Sequence, residues 1–449
     1  MAAIRKEFKA YLNIKEGTSD SLTGKDPRLG FIPAPLDLSH LRGKQLFRGS
    51  QSLTIMPSYD LRNLDKLTPV KDQGNAGTCW AFASYGSLES NLMPGQEWNF
   101  SENNMKNLLS EECPQGYDRL PDEGGNQFMS TAYLVRWSGP VSAEVDPYDP
   151  NSNGCEEYDV LKHVQQIIFI PDRTGSLDNM NIKQAIMNYG AVFTGMFYDD
   201  ENYNPDNFSY YYKGTAYSNH AVCLVGWDDN FDRKKFATAS PADGAFIVRN
   251  SWGKDWGEGG YFYVSYYDSR IGKDNALFNN AESTENYDAI YQYDPLGWVA
   301  SIGYSSATGW FANVFTASAG EELAAVSWYT GAANSDYQLM VYLNPTVSSP
   351  TSGNQVKQLS GKISAPGYYT RSFKKPVPLT AGQRFSLVVK LTTPGYEYPI
   401  PVEMPISGYS SNASSELGQS FISRNGRSWK DINTVWENTN VCIKGFINR

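Results

Sequence analysis

The pattern of apolar positions changes character along the chain. In CWAFASYGSLESNL (79–92), Phe82, Tyr85, Leu88 and Leu92 stand three or four residues apart. That spacing predicts a helix with one buried face, opening after a Gly-rich turn and closing before Pro94. A second helix is predicted over 126–138, stopped by Gly139-Pro140, and a third over 178–189, left at Gly190. Strands are predicted next at 191–197, 220–227, 244–250 and 260–267. Helices first and sheet second predict an α+β unit of two packed lobes over 57–283. From 284 to 449 the pattern is strand only, as in YQLMVYLN (337–344), RFSLVVKL (384–391) and NVCIKGFI (440–447). Clusters of Gly, Pro, Ser and Asn separate these runs, which predicts an antiparallel, all-β sandwich. Residues 1–56 lack sustained periodicity and read as an N-terminal arm.

Composition narrows the classes. The 449 residues carry 38 Lys and Arg against 48 Asp and Glu, a net charge of −10. An acidic balance argues against a nucleic-acid partner. With 11 Trp, 30 Tyr and 21 Phe and only 19% charged residues, most of the chain is expected to fold. No apolar run reaches the ~18 residues of a membrane span. The three histidines, His40, His163 and His220, make a His-built metal site an unexpected outcome. The opening MAAIRKEFKAYLNIKEG has no apolar core, so a signal peptide is either unneeded or already removed. The five cysteines form no CxxC pair, and their odd number leaves at least one thiol unpaired.

Three segments carry candidate chemistry. In KDQGNAGTCWAFAS (71–84), Cys79 opens a helix, where the helix dipole favours the thiolate. A buried structural cysteine is the plain alternative on the local pattern. In SNHAVCLVGWDD (218–229), His220 stands at the start of an apolar strand, a fitting place for a general base. In FIVRNSWGKDWGEGGYFYVSYYD (246–268), Asn250 ends a strand and can orient an imidazole, with Trp252 shielding the bond from water.

Together these segments resemble the papain-like cysteine peptidases over roughly residues 57–270. The resemblance implies a two-lobed fold with Cys79 as nucleophile, His220 as general base and Asn250 as orienter. It implies Gln73 and the Cys79 backbone N–H as oxyanion donors for acyl transfer. Trp256 resembles the family's aromatic wall on the leaving-group side. Gly124 and Gly125 would pair with extended substrate. Asn126, Gln127, Gly195 and Ser218 would line the pocket for the second residue before the cut, roomy at Gly195 and without an evident acid or base. The family's usual disulfide is missing at both ends, at Ala76 and Asp122. A second family bridge is implied between Cys113 and Cys155, which favours an oxidising compartment and hence secretion.

The stretches FIPAPLDLSHL (31–41), MPSYDLRNL (56–64) and the pattern GWDDNFDRKKF…PADGAFIVRNSWG (226–236 and 241–253) resemble a bacterial subgroup in which a lectin-like domain follows the catalytic unit, which would be the 284–449 sandwich here. On that resemblance, residues 1–56 are a propeptide covering the cleft or, equally, a structural arm. Trp298, Trp310, Trp328 and Tyr329 are expected as core more than as sugar-stacking rings. Asp149, Asn151, Asn153 and Gly154 imitate an EF-hand start, but Val160 stands where the closing acid is needed. No cofactor is required, and structural calcium is left open near Asp228, Asp229 and Asp232. The expected function is a secreted or cell-surface cysteine endopeptidase acting on protein or peptide, with cell-surface glycan as a second partner. Its rivals are a binding protein using an inactive peptidase fold as scaffold, and an acyltransferase with the same site.

Overall fold

The computed structural model describes residues 2–4, 26–47 and 55–449, so residues 1, 5–25 and 48–54 of the expected arm lie outside the described residues. The helix Cys79–Leu92 forms where the spacing predicts it, but it is buried on every side from Cys79 to Ser90. Small residues make that enclosure feasible: a methyl group added at Gly86 would stand 2.9 Å from the Cys223 sulphur. The helix packs on the strands Lys273–Glu282, His220–Asp228 and Val192–Met196. The helix Gln127–Val135 starts at Asn126, whose side-chain oxygen accepts from the Phe128 and Met129 amides at 3.0 and 3.2 Å. It ends before the predicted Ser138 because Trp137 adopts a left-handed φ of 65°. The third helix is Met180–Tyr189 and the four predicted strands are 192–196, 220–228, 245–249 and 261–265, each within two residues of expectation. A short helix, Glu102–Leu108, has too few turns to stand out as a periodic pattern.

The two expected units share one sheet. Its strands run in the order 289–291, 443–448, 321–330, 367–379, 163–170, 273–282, 192–196, 220–228, 245–249, 261–265, 209–210, 203–204. The junction is the antiparallel pairing of Gly367, Tyr368 and Tyr369 with Ile168, Ile167 and Gln166. A six-stranded sheet, 354–363, 335–343, 384–392, 308–316, 420–423 and 430–431, closes the C-terminal sandwich. Between its layers lie Phe311, Leu323, Trp328, Leu339, Phe385 and Leu387. Trp298, Trp328 and Tyr329 are buried core, whereas Trp310 stays half-exposed. His163 stacks on Trp137 at 3.7 Å and His40 on Tyr396 at 4.0 Å, so both have packing roles.

Cys113 and Cys155 are bridged, with Cα atoms 5.6 Å apart. Cys79, Cys223 and Cys442 are free and buried. Asp229 pairs with Lys183 and Tyr266, while Asp228 and Asp232 accept backbone amides in their own turns. No helix among the described residues is long and apolar enough to cross a membrane.

The disulfide yields a measurable expectation. Non-reducing peptide mapping should recover Cys113 and Cys155 in one joined peptide. Cys155→Ser should lower unfolding stability in urea by about 2–4 kcal/mol, the effect of freeing a loop of this size in the unfolded chain. An unchanged midpoint and slope would exclude a stabilising bridge.

Candidate active site

The nucleophile candidate is set by two elements. Cys79 is the first residue of its helix, and its Sγ accepts from the Ala221 backbone N–H at 3.3 Å. The sulphur therefore lies at the start of the strand His220–Asp228. His220 donates from Nε2 to Asn250 Oδ1 at 2.8 Å. That bond fixes the tautomer and leaves Nδ1 unprotonated and without a hydrogen-bond partner. Trp252 lies 4.9 Å from the imidazole and is almost fully buried.

Gln73 is held in one orientation. Its Oε1 accepts from Ser251 Oγ at 2.6 Å, so Nε2 faces the opposite way. The Ser251 amide in turn donates to Asn250 Oδ1 at 2.9 Å, linking Gln73 to the amide that holds the imidazole. Tyr148 supports the same loop by donating to the Gln73 carbonyl at 2.8 Å. Ser251 and Tyr148 escaped the sequence reading because their roles depend on chain crossings, although Ser251 adjoins Asn250.

The arm occupies this site. Gln73 Nε2 donates to the Arg28 carbonyl at 2.9 Å, so a backbone oxygen of the arm occupies the amide expected to donate to an oxyanion. The Gly30 backbone N–H points at the Cys79 sulphur beside that of Ala221. Gly125 donates to the Gly30 carbonyl at 2.9 Å and accepts from Ile32 at 3.1 Å, giving a parallel bridge between Phe31 and Gly125. Gly124 is as close: a methyl group there would stand 2.7 Å from the Gly30 oxygen. The Phe31 ring enters the predicted pocket, where a methyl group on Gly195 would lie 3.3 Å from the ring, from Ser218 and from the Asp274 carboxylate.

Two pocket expectations are corrected. Asn126 does not line the pocket; it is fully buried, caps its helix and accepts from Tyr409 at 3.2 Å. An acid does border the pocket, because Asp274 arrives on a strand far along the chain. Burial and the neighbouring Asp172 carboxylate push it up to about 7. Beyond Phe31 the pocket continues as a cavity of about 230 Å³ lined by Leu36, Arg42, Gln127, Ser218, Tyr217 and Asp274 among others. Trp256 stacks on Tyr203 at 5.1 Å and meets the edge of Trp252 at 5.1 Å, forming an aromatic wall. Among the described residues no group of three or more His, Cys, Asp or Glu is placed to hold a metal.

Burial sets the protonation of the covered site. It pushes the Cys79 thiol up to about 11, against the Ala221 and Gly30 amides that favour the thiolate. It brings His220 down to about 4; the Asn250 bond opposes this and the Arg28 charge adds to it. Both groups are thus neutral at pH 7.

A thiol at a helix start, an imidazole fixed by an amide and a glutamine donor define a cysteine-nucleophile acyl-transfer site in a two-lobed fold. The papain family cysteine protease model matches residues 55–278 and the lectin like domain model matches 290–447. The chain belongs to the papain family of cysteine proteases and carries a C-terminal lectin-like domain. It is 29% identical to procathepsin L of Rattus norvegicus over 50% of this chain and 65% of that one. It is 28% identical to a cysteine protease of Blomia tropicalis over 49% of this chain and 63% of that one. The matched stretch thus spans a little under two thirds of these relatives. The cysteine protease and lectin-like domains of Cwp84, a surface layer associated protein of Clostridium difficile, share the fold, with a TM-score of 0.83 at 24% identity over 100% of this chain and 97% of that one. A clostridial Cwp84 variant after propeptide cleavage superposes at 0.78 with 26% identity, over 87% of this chain and 99% of that one.

The neutral pair predicts a reactivity profile. In the full chain, alkylation of Cys79 by iodoacetamide should be slow at pH 7 and rise only toward the thiol's value near 11. A form with the arm displaced should react at least 100-fold faster at pH 7, because solvent then stabilises the thiolate–imidazolium pair. Equal rates at pH 7 would show that the arm does not set the protonation.

Proposed function

We propose that the protein is a cysteine endopeptidase made as a self-covered zymogen, acting on secreted or cell-surface proteins. The observation that carries this reading is the path of the arm over a complete Cys79–His220–Asn250–Gln73 set. Gln73 and the Cys79 N–H would stabilise the oxyanion of the tetrahedral intermediate, and His220 would pass the proton to the leaving amine. A scaffold protein has no need of a covered thiol with an oriented base, which disfavours the inactive-fold alternative.

The arm's direction supports inhibition over cleavage. Phe31 lies in the acyl-side pocket, and Arg28 lies on the aromatic wall of the leaving-group side. The arm therefore runs from leaving side to acyl side, opposite to a productive substrate, and presents its carbonyls with reversed polarity. The pocket that accepts Phe31 supports a preference for an aromatic second residue before the cut. The surface layer association named for Cwp84 and the disulfide support a location outside the cytoplasm. Glycan binding by the sandwich would centre on half-exposed Trp310, the one of the four candidate rings not absorbed into the core.

Gly30→Ala provides the test. A methyl group at that position would stand 1.8 Å from the Gly77 carbonyl oxygen, so the arm must lift. Full-chain Gly30→Ala should hydrolyse a fluorogenic peptide bearing Phe in the pocket at least ten-fold faster than the parent, and adding Cys79→Ala should abolish it. An added amine should leave hydrolysis as the main product; dominant amide formation would favour the acyltransferase. No gain from Gly30→Ala would remove the arm's inhibitory role.

A further inference from the structure

The arm also marks a place on the leaving-group side that its backbone does not require. Arg28 lays its guanidinium over the Trp252 ring, 3.9 Å from the ring centre. The ring is braced: the edge of Tyr198 meets it at 4.8 Å and Trp256 at 5.1 Å. Tyr198 donates its hydroxyl to Asp200 Oδ1 at 3.0 Å, which anchors that exposed carboxylate beside the aromatic wall. Asp199 and Glu201 flank it, both exposed, and the segment 196–206 carries no Lys or Arg. Lys254 and Asp255, on the turn between the two tryptophans, offset one another in charge. The hydrogen bond to Asp26 chiefly, and the charge of Asp200 to a lesser degree, favour the protonated form of Arg28. Asp26 pairs with the edge of the same guanidinium at 2.7 and 2.9 Å, leaving its flat face for the ring.

From this juxtaposition we infer that the leaving-group side holds a cation subsite, Trp252 with Asp200, which selects substrates bearing Arg or Lys within two residues after the bond cut. A cation over an indole face gains electrostatic energy from the ring, more so where water is partly excluded. A carboxylate held near the ring through Tyr198 can supply a second, charged partner to a guanidinium fork. A substrate cation lacks Asp26, so it would turn to Asp200, which Tyr198 anchors. Arg28 would then act as a resident ligand, adding affinity to the arm at a site built for substrate. This inference rests on the peptidase reading, naming a substrate feature for the same cleft.

The test uses the full chain carrying Gly30→Ala and Arg28→Ala, which lifts the arm and vacates the ring. Peptides identical on the acyl side and bearing Arg, Ala or Glu at the first two leaving-side positions are compared. The expected kcat/KM is about ten-fold higher for Arg than for Ala and lower still for Glu, with the Arg advantage shrinking as salt is added. Adding Asp200→Asn should bring the Arg-to-Ala ratio to within about two-fold of unity, mainly through KM. Equal rates for Arg and Ala, or a ratio that survives Asp200→Asn, would overturn the subsite. The same peptides titrated onto the Cys79→Ala form of that background read the site without turnover. Arg binding about ten-fold tighter than Ala supports the subsite, and equal affinity overturns it. Absence of hydrolysis with that binding difference intact would count against the peptidase reading alone.

Discussion

The closed state depends on one close approach, the crossing of the arm over the Cys79 thiol at Gly30. The Gly30 and Gly77 backbones pass so near that a methyl group on Gly30 would overlap the Gly77 carbonyl. Because no side chain intervenes, the arm's backbone reaches depth enough to engage Gln73, Cys79 and Gly125 together. A bulkier residue would hold the arm away and admit water. Exclusion of water is what keeps the thiol and the imidazole neutral, since neither charge is solvated and the two cannot be ionised separately at low cost. Steric cover and chemical silence thus have a single cause.

The cleft wall opposite the arm is stiffened without a cystine at the Ala76 and Asp122 positions. Gly77 donates to the Asp122 carbonyl at 2.7 Å. Arg119, fully enclosed, donates to the carbonyls of Lys106, Pro121, Glu123 and Gly124. Burial lowers it to about 10, still well above neutral pH, so the guanidinium keeps its charge. One buried cation gathering four carbonyls holds the Gly124–Gly125 edge from inside. The sandwich contributes through Tyr409, which reaches the Asn126 cap, and through the sheet shared across the two units. The Gly124–Gly125 edge is therefore braced by both halves of the molecule.

What was legible in the sequence is what local chemistry fixes. Cys79, His220 and Asn250 each stand at the end of a periodic run, so their placement on element termini could be read from spacing. The helices and strands of the peptidase unit were legible for the same reason. The long-range partners were not. Asp274 reaches the pocket only because its strand pairs with 192–196, a register no local pattern encodes. Asn126 looked like a pocket residue by position, yet an Asn ahead of a helix is also a capping signal, and capping prevailed. The shared sheet was hidden because the pairing of 367–379 with 163–170 joins runs that each look like an ordinary buried strand. Arg28 gave no signal, since stacking on Trp252 follows from the arm's path and not from its neighbours in sequence.

The arm need not bind tightly to close the cleft. It is part of the same chain, and a short tether gives an effective concentration on the order of mM. With that tether, an intrinsic dissociation constant of about 1 μM would leave only ~0.1% of molecules open. Several backbone hydrogen bonds, one buried phenyl ring and one stacked guanidinium are ample for such an affinity. The other end of the described arm is held by the sandwich, where His40 bonds the Gly331 carbonyl at 2.6 Å and stacks on Tyr396. The arm therefore spans both units, and its cover is strongest while the chain is continuous. Once the chain is cut between arm and peptidase unit, the effective concentration falls to that of a free peptide. The same contacts then permit release at submicromolar protein, which makes a modest intrinsic affinity the condition for a cover that is both secure and removable.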